Sequence, residues 1–279
     1  MHTGRIAELW TYPVKGCRGI PLEVATVEPM GLAHDRRWMV VRPSGRFLTQ
    51  RELPALARVG TALEDGRLVL VLDGQRHPVL PADRDDERLD VTVWGQQLPA
   101  IPQSPVTDRL LSEFLGRAVR LVRFAPEALR PCDPAISPPG ARTGFADGFP
   151  LLLASTSSLA RLNDHLAEAG AEPVPMARFR PNLVVNGLPP WAEDEAPWLC
   201  AGTTVFRLVS PCERCIVTTT DQASGERLGE EPLRTLRRMH SDNAGHPLFG
   251  WNLVPILGDE PAPRLRIGDL LTLAPGPHA

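Results

Sequence analysis

The chain has 279 residues and a formal net charge of −3, enough for one large or two ordinary domains. No polybasic run points to a nucleic-acid or membrane partner, and neither a secretory leader nor an apolar run of bilayer length is recognisable. Five cysteines, at 17, 132, 200, 212 and 215, do not make a secreted disulfide framework in so long a chain, so a reducing cytoplasm is expected.

Short strands and turns fill the first hundred residues. Residues 6–14 alternate loosely and 22–27 are strand-like. Residues 37–42 and 46–49 flank the turn Pro43-Ser44-Gly45. Asp73-Gly74 separates 67–72 from 76–80, a strong hairpin signal, and Gly95 is bracketed by 89–94 and 97–101. This density of strands predicts a rolled sheet or barrel. A helix follows, with Thr107 as its expected N-cap, Leu110, Leu111, Phe114 and Leu115 on one face and Gly116 at its end.

Prolines 126, 131, 134, 138 and 139 crowd the next stretch, favouring an irregular connection over 125–143 and a domain boundary after 124. Beyond it, Ser157 or Ser158 is expected to cap a helix carrying Leu159, Leu162 and Leu166, ended by Gly170. Residues 182–185 predict a buried strand. Two more strands, 205–209 and 216–220, are expected on either side of the Cys212–Cys215 segment. A short helix over 231–239 carries Leu233, Leu236 and Met239, and strands over 248–256 and 265–273 close the chain. The fold class expected is mainly β with peripheral helices.

Two features point to chemistry. Of 30 basic residues, Lys15 is the only lysine. A compact ammonium suits a phosphate as a point charge in a way the forked guanidinium does not; an accident of composition is the plain alternative. The second feature is Cys212-x-x-Cys215. A zinc site would need a second Cys or His pair, and only His240 and His246 follow. A dithiol redox pair should open a helix in a βαβ unit, whereas this one lies between strand-like segments. Two buried small residues, or one exposed thiolate serving a soft metal, are the other readings. Arg214 beside Cys215 is expected to favour its thiolate.

Five segments taken together resemble the MOSC family: Tyr12-Pro13-Val14-Lys15-Gly16-Cys17-Arg18-Gly19; the stretch from Gly31 through Asp35-Arg36-Arg37-Trp38; Arg178-Phe179-Arg180-Pro181-Asn182; Cys212-Glu213-Arg214-Cys215-Ile216-Val217-Thr218-Thr219-Thr220-Asp221; and Pro247-Leu248-Phe249-Gly250. They occur in the family's order over nearly the whole chain. The resemblance implies a MOSC N-terminal β-barrel domain over 1–124 and a MOSC domain over 125–279. It is nearest in kind to the amidoxime-reducing components, which reduce N-hydroxylated compounds with a molybdenum–molybdopterin cofactor. The family is also described as binding pyridoxal phosphate.

Carried over by position, the resemblance makes Cys215 the molybdenum ligand and catalytic centre. Lys15, Gly16 and Arg36 become contacts to phosphate or pterin, and Arg180, Asn182, Glu213 and Arg214 line the cofactor. Ser155, Thr156, Ser158 and Asn252 match positions that face it. Two positions depart from the pattern: Gly16 stands where serine is usual, and Asn252 where the animal proteins carry tyrosine. Cys212 is expected to be structural or a bystander. The implied reaction takes oxygen from an N–O bond. It needs an external reductase, flavin or iron–sulfur, because the chain carries neither an iron–sulfur signature nor a dinucleotide fingerprint. A persulfide carrier working through the same Cys215 is the competing function, and a non-catalytic binding barrel is a third.

Overall fold

A computed structural model describes residues 1–81 and 87–276. The architecture is mostly β, with a closed seven-stranded barrel built chiefly from the second half of the chain. Around the barrel, His2–Thr11 pairs with Leu183–Asn186, which pairs with Leu151–Ser155; Leu248–Ile256, Thr204–Glu213, Trp198–Ala201 and Leu270–Ala274 follow in turn. The last strand returns to pair with His2–Thr11 and closes the ring. The first strand of the chain is therefore a stave of the C-terminal barrel. Alternate residues point inward and fill it: Leu151 with Leu153, Leu183 with Val185, Phe206 with Leu208, and Leu271 with Leu273 share one buried cluster. This period of two is what a sheet closed on one core requires.

Against the barrel lies a five-stranded sheet in the order Leu89–Val93, Gln96–Pro102, Arg120–Phe124, Trp38–Val41, Val14–Lys15. It is buried on both faces. Val14, Val40 and Leu121 enter one apolar cluster, while Met39, Val41 and Val122 enter another. The near-continuous apolar runs of these strands follow from that double burial. Among the described residues three α-helices are peripheral: α1 (Pro105–Leu115), α2 (Thr156–Glu168) and α3 (Leu233–Met239). α2 is the crossover between the parallel strands Leu151–Ser155 and Leu183–Asn186. Among the described residues no helix is long and apolar enough to cross a membrane.

Several local expectations need correction. The 216–220 run is a 3-10 turn, Ile216–Thr219. The hydroxyls of Thr218 and Thr219 donate to the carbonyls of Cys215 and Ile216 three residues back, so side-chain-to-backbone bonds override the strand propensity of a β-branched run. Residues 46–49 form only isolated bridges. Ser104, not Thr107, caps α1, its hydroxyl accepting from Val106 N at 3.2 Å. α2 starts at Thr156 with Ser155 in the cap position and no side-chain cap. The expected 265–273 strand is two, Arg264–Arg266 and Leu270–Ala274, with Gly268 between them at φ 90°.

Candidate functional site

A cleft of about 180 Å³ opens between the barrel and the five-stranded sheet. Each expected anchor reaches it from a different element. Lys15 ends the short strand Val14–Lys15, held parallel to Trp38–Val41. Arg36 lies in the turn before Trp38, at φ 47°, and Arg180 before Leu183, at φ 56°. Cys212, Glu213, Arg214 and Cys215 come from the end of Thr204–Glu213 and the turn after it, and Asn252 from Leu248–Ile256. A bulge at Leu208/Ser210 and another at Pro211/Glu213 re-aim the Thr204–Glu213 strand where it approaches the cleft.

Lys15 is only 6% exposed. Its Nζ donates to Asp147 Oδ1 at 2.5 Å. Burial pushes the Lys15 ammonium below its ordinary range, with Asp147 opposing that shift. For Asp147, desolvation pushes up, but Lys15 outweighs it and holds the carboxyl below the usual carboxylate range. The same Oδ1 accepts from Trp94 Nε1 at 3.0 Å. The loop carrying Asp147 is fixed by Arg130, which donates to the carbonyls of Gly144, Ala146 and Asp147.

Tyr12, the only tyrosine in the chain, is the hub of the second cationic group. The guanidinium of Arg36 lies 4.3 Å from its ring centroid and that of Arg180 4.4 Å. Its hydroxyl donates to Pro181 O at 3.1 Å, and burial pushes its pKa up to about 12. Burial, with Arg36 adding to it, brings Arg180 down to about 10, so its guanidinium stays charged at neutral pH. Asn182 is 1% exposed and spends all its polar capacity inside the protein. It donates to Trp10 O and Asp35 Oδ1, and accepts from Arg36 Nη1 and Leu152 N. It lines the cleft but acts by aiming Arg36. Gly16, at φ 79°, turns its carbonyl to Gln50 Nε2 at 2.7 Å; the left-handed backbone disfavours a serine there.

Arg214 differs from expectation. Its Nη1 donates to Cys212 Sγ at 2.8 Å and its Nη2 to Phe179 O at 2.8 Å. The charge expected beside Cys215 is therefore spent on Cys212, whose thiol burial pushes up and Arg214 pulls down. Cys212 is thus the sulfur that orients Arg214. Cys215 is free and partly exposed, lines the cleft, and has its carbonyl held by Thr218 N and Oγ1, both at 3.0 Å. The Asn252 amide donates to Ser210 Oγ at 3.2 Å.

The serine-containing segment does not reach the cleft lining. Ser155 is fully buried and its hydroxyl pairs with Ser157 Oγ at 2.7 Å. Ser158 donates to Glu193 Oε1 at 2.7 Å, and Thr156 begins α2 beside them. Gln50, Trp94 and Asp147 also line the cleft, with Tyr12 behind Arg36 and Arg180 and Gln222 behind Gln50 and Arg180. A singleton tyrosine is a signal of the same kind as the singleton lysine. Gln50 and Gln222, which exchange amide hydrogen bonds at 3.0 and 2.9 Å, carry no signal in sequence.

Five cationic side chains, Lys15, Arg36, Arg51, Arg180 and Arg214, thus face two carboxylates, Asp147 and Glu213, around the cleft. Arg214 Nε is buried without a partner. An anionic ligand with many polar edges fits this donor set, and a free thiol suits a soft metal at the same place. A two-part β protein whose cationic cleft is lined by two free cysteines, Cys212 held by Arg214 and Cys215, is the class these features define.

Comparison with known proteins makes the assignment specific. The MOSC N-terminal beta barrel domain matches residues 3–118 and the MOSC domain residues 140–272. The chain is 30% identical over 284 residues to mitochondrial amidoxime-reducing component 1 of Homo sapiens, spanning 96% of this chain and 82% of that protein. It is 31% identical over 266 residues to mitochondrial amidoxime reducing component 2 of Bos taurus, covering 89% and 78%. A molybdenum cofactor sulfurase of Oryza sativa is 31% identical over 256 residues, covering 86% of this chain but 31% of that protein. The chain belongs to the MOSC family, among homologues of the mitochondrial amidoxime-reducing components.

Proposed function

We propose that this protein is a molybdenum-cofactor-dependent oxidoreductase that reduces N-hydroxylated small molecules at a metal ligated by Cys215. The observation that supports this reading most is a free cysteine in a cleft lined by five cations. The names of the relatives support the reaction class. When bound, the molybdenum–molybdopterin group supplies two-electron oxygen-atom chemistry at the metal.

The chain's own residues do the rest. Lys15 and Arg36 bind the phosphate end, and Arg180 and Arg214 bind the polar edges of the pterin. Each charge-assisted hydrogen bond contributes roughly 1.5–3 kcal/mol. Glu213, Asn252 and the backbone of Gly16 complete the lining, and Asn182 with Tyr12 keeps the guanidinium groups aimed. The two bonds from Thr218 fix the backbone at Cys215, so its sulfur is presented from a rigid turn. Converting N–OH to N–H and water consumes two electrons and two protons; an external flavin or iron–sulfur donor supplies the electrons.

A second reading, a persulfide sulfur carried on Cys215, is favoured by the likeness to the rice sulfurase. One experiment separates the two. Purified protein is analysed for molybdenum, pterin fluorescence and sulfane sulfur, and the Cys215→Ala variant is assayed with an N-hydroxylated base and a chemical reductant. Stoichiometric molybdenum and pterin with turnover lost in Cys215→Ala is the expected result. Sulfane sulfur without molybdenum would establish the carrier instead, and retained turnover in Cys215→Ala would rule out the metal-ligand role.

A further inference from the structure

Of the 30 basic residues all but Lys15 are arginine, and guanidinium groups pair with acidic side chains throughout the molecule: Arg37 with Glu28, Arg42 with Glu52, Arg120 with Asp108. Glu213 and Asp242 break this habit. Among the described residues neither pairs with Arg or Lys, and the basic group that each meets is His246. Arg214, next to Glu213 in the chain, gives its Nη groups to Cys212 and to Phe179 O instead.

The backbone brings the three residues together from two segments. Glu213 ends its strand opposite Leu248, and Arg214 N donates to Pro247 O at 2.8 Å, so the turn over 242–246 lies against the strand end. Asp242 Oδ1 accepts from Ala244 N at 2.9 Å and His246 N at 2.8 Å, which leaves Oδ2 for His246 Nδ1 at 2.8 Å. Glu213 Oε1 stands 4.0 Å from the same nitrogen, and one ligand atom from each residue lies within 4.8 Å of the others. A ring nitrogen carries one proton, and Asp242 takes it. The Glu213 carboxylate is left without a hydrogen bond among the described residues, beside a second carboxylate. A proton answers one of these charges; a divalent ion answers both.

One imidazole nitrogen with two carboxylate oxygens is a donor set that suits zinc and its first-row neighbours. Bonds of about 2.0–2.2 Å put ligand atoms about 3.4 Å apart around a tetrahedral ion, a spacing between the 2.8 and 4.0 Å found here. The side chains of Glu213, Asp242 and His246 are 65%, 34% and 54% exposed, so small rotations close the remaining gap and water completes the coordination.

We propose that Glu213, Asp242 and His246 form a binding site for a divalent transition-metal ion of the zinc type, separate from the cleft thiols, that ties the 242–246 turn to the strand end two residues before Cys215. On binding, His246 Nδ1 releases its proton to solvent, and the Asp242–His246 hydrogen bond is exchanged for coordinate bonds from all three side chains. No electron moves. The site goes beyond the reductase reading and does not depend on it.

Zn²⁺ serves as the probe, titrated calorimetrically into the purified full chain after dialysis against a chelator. One ion per chain should bind with a Kd below about 100 µM. His246→Ala and Asp242→Asn should each weaken that binding at least about tenfold. Asparagine keeps the oxygen that accepts from Ala244 and His246, so the turn itself survives. Without zinc both variants should melt within about 2–4 °C of the wild type, because exposed ion pairs contribute little. Added Zn²⁺ should then raise the midpoint of the wild type and not that of His246→Ala. The Cys212→Ser/Cys215→Ser variant, which lacks both cleft thiols, should bind Zn²⁺ as the wild type does. Weaker binding than this in the wild type, loss of it with the two thiols, or wild-type affinity in His246→Ala or Asp242→Asn would overturn the proposal.

Discussion

Replacing Lys15 by methionine separates binding from folding. The ammonium is 6% exposed and pairs with a carboxylate whose own side chain is 69% exposed. Methionine fills the same volume without desolvating a charge, and Asp147 can return to water. Breaking an ion pair is strongly destabilising when it leaves a buried unpaired charge, and the exposure of Asp147 removes that condition here. A stability change within about 1 kcal/mol is therefore expected, or roughly 2–4 °C in melting temperature. Phosphate anchoring should lose one charge-assisted bond of about 1.5–3 kcal/mol, a ten- to hundredfold weaker retention of the cofactor. The pH dependence gives a second readout. Burial lowers the Lys15 pKa, so between the folded and unfolded values the unfolded chain binds more protons and stability rises with pH. Lys15→Met should remove that rise. The assays are melting temperature across pH and pterin released on gel filtration. A fall of many degrees with full cofactor retention would refute the reasoning and make Lys15 a structural partner of Asp147.

Other consequences follow from the same geometry. Asn182→Leu removes the side-chain partner of the Trp10 carbonyl and of Leu152 N in a buried site, and one of several bonds to Asp35, and should cost about 2–4 kcal/mol, read by urea denaturation. Both ring nitrogens of His240 face acceptors, Leu248 O at 3.0 Å and Asp194 Oδ2 at 2.7 Å; although burial lowers its pKa, these partners raise it overall. The stabilisation from His240 should be complete below its unfolded pKa and lost as pH rises through the folded value, so a melting curve of the wild type should decline over that interval more than one of His240→Gln. Burial pushes the Cys17 thiol to about 12 and that of Cys132 to about 11; alkylation of the native protein followed by mass spectrometry should modify Cys215 well before either.

The barrel was legible wherever one face is buried. Residues 182–185 read as a buried strand because Leu183 and Val185 enter the barrel core while Val184 enters the cluster under α2, and Asp73-Gly74 marks its hairpin by chemistry that needs no tertiary context. Closure was not legible, since nothing local in residues 2–11 says that they pair with residues 270–273. The threonine run after Cys215 misled because hydroxyl-to-carbonyl bonds, invisible to periodicity, decide its conformation. In the site, Lys15, Arg36 and Arg180 stood out through motif and rarity. The target of Arg214 did not, because a guanidinium reaches past its nearest sequence neighbour and here finds Cys212. The serines at 155 and 158 turned toward Ser157 and Glu193, partners that sequence spacing alone does not reveal.

Everything proposed for the cleft depends on a bond between Cys215 and a metal. X-ray absorption at the molybdenum edge, recorded on the cofactor-loaded wild type and on Cys215→Ser, reads that bond without reference to turnover. The account predicts one sulfur neighbour fewer in the variant, replaced by oxygen. Identical spectra for the two proteins would contradict it.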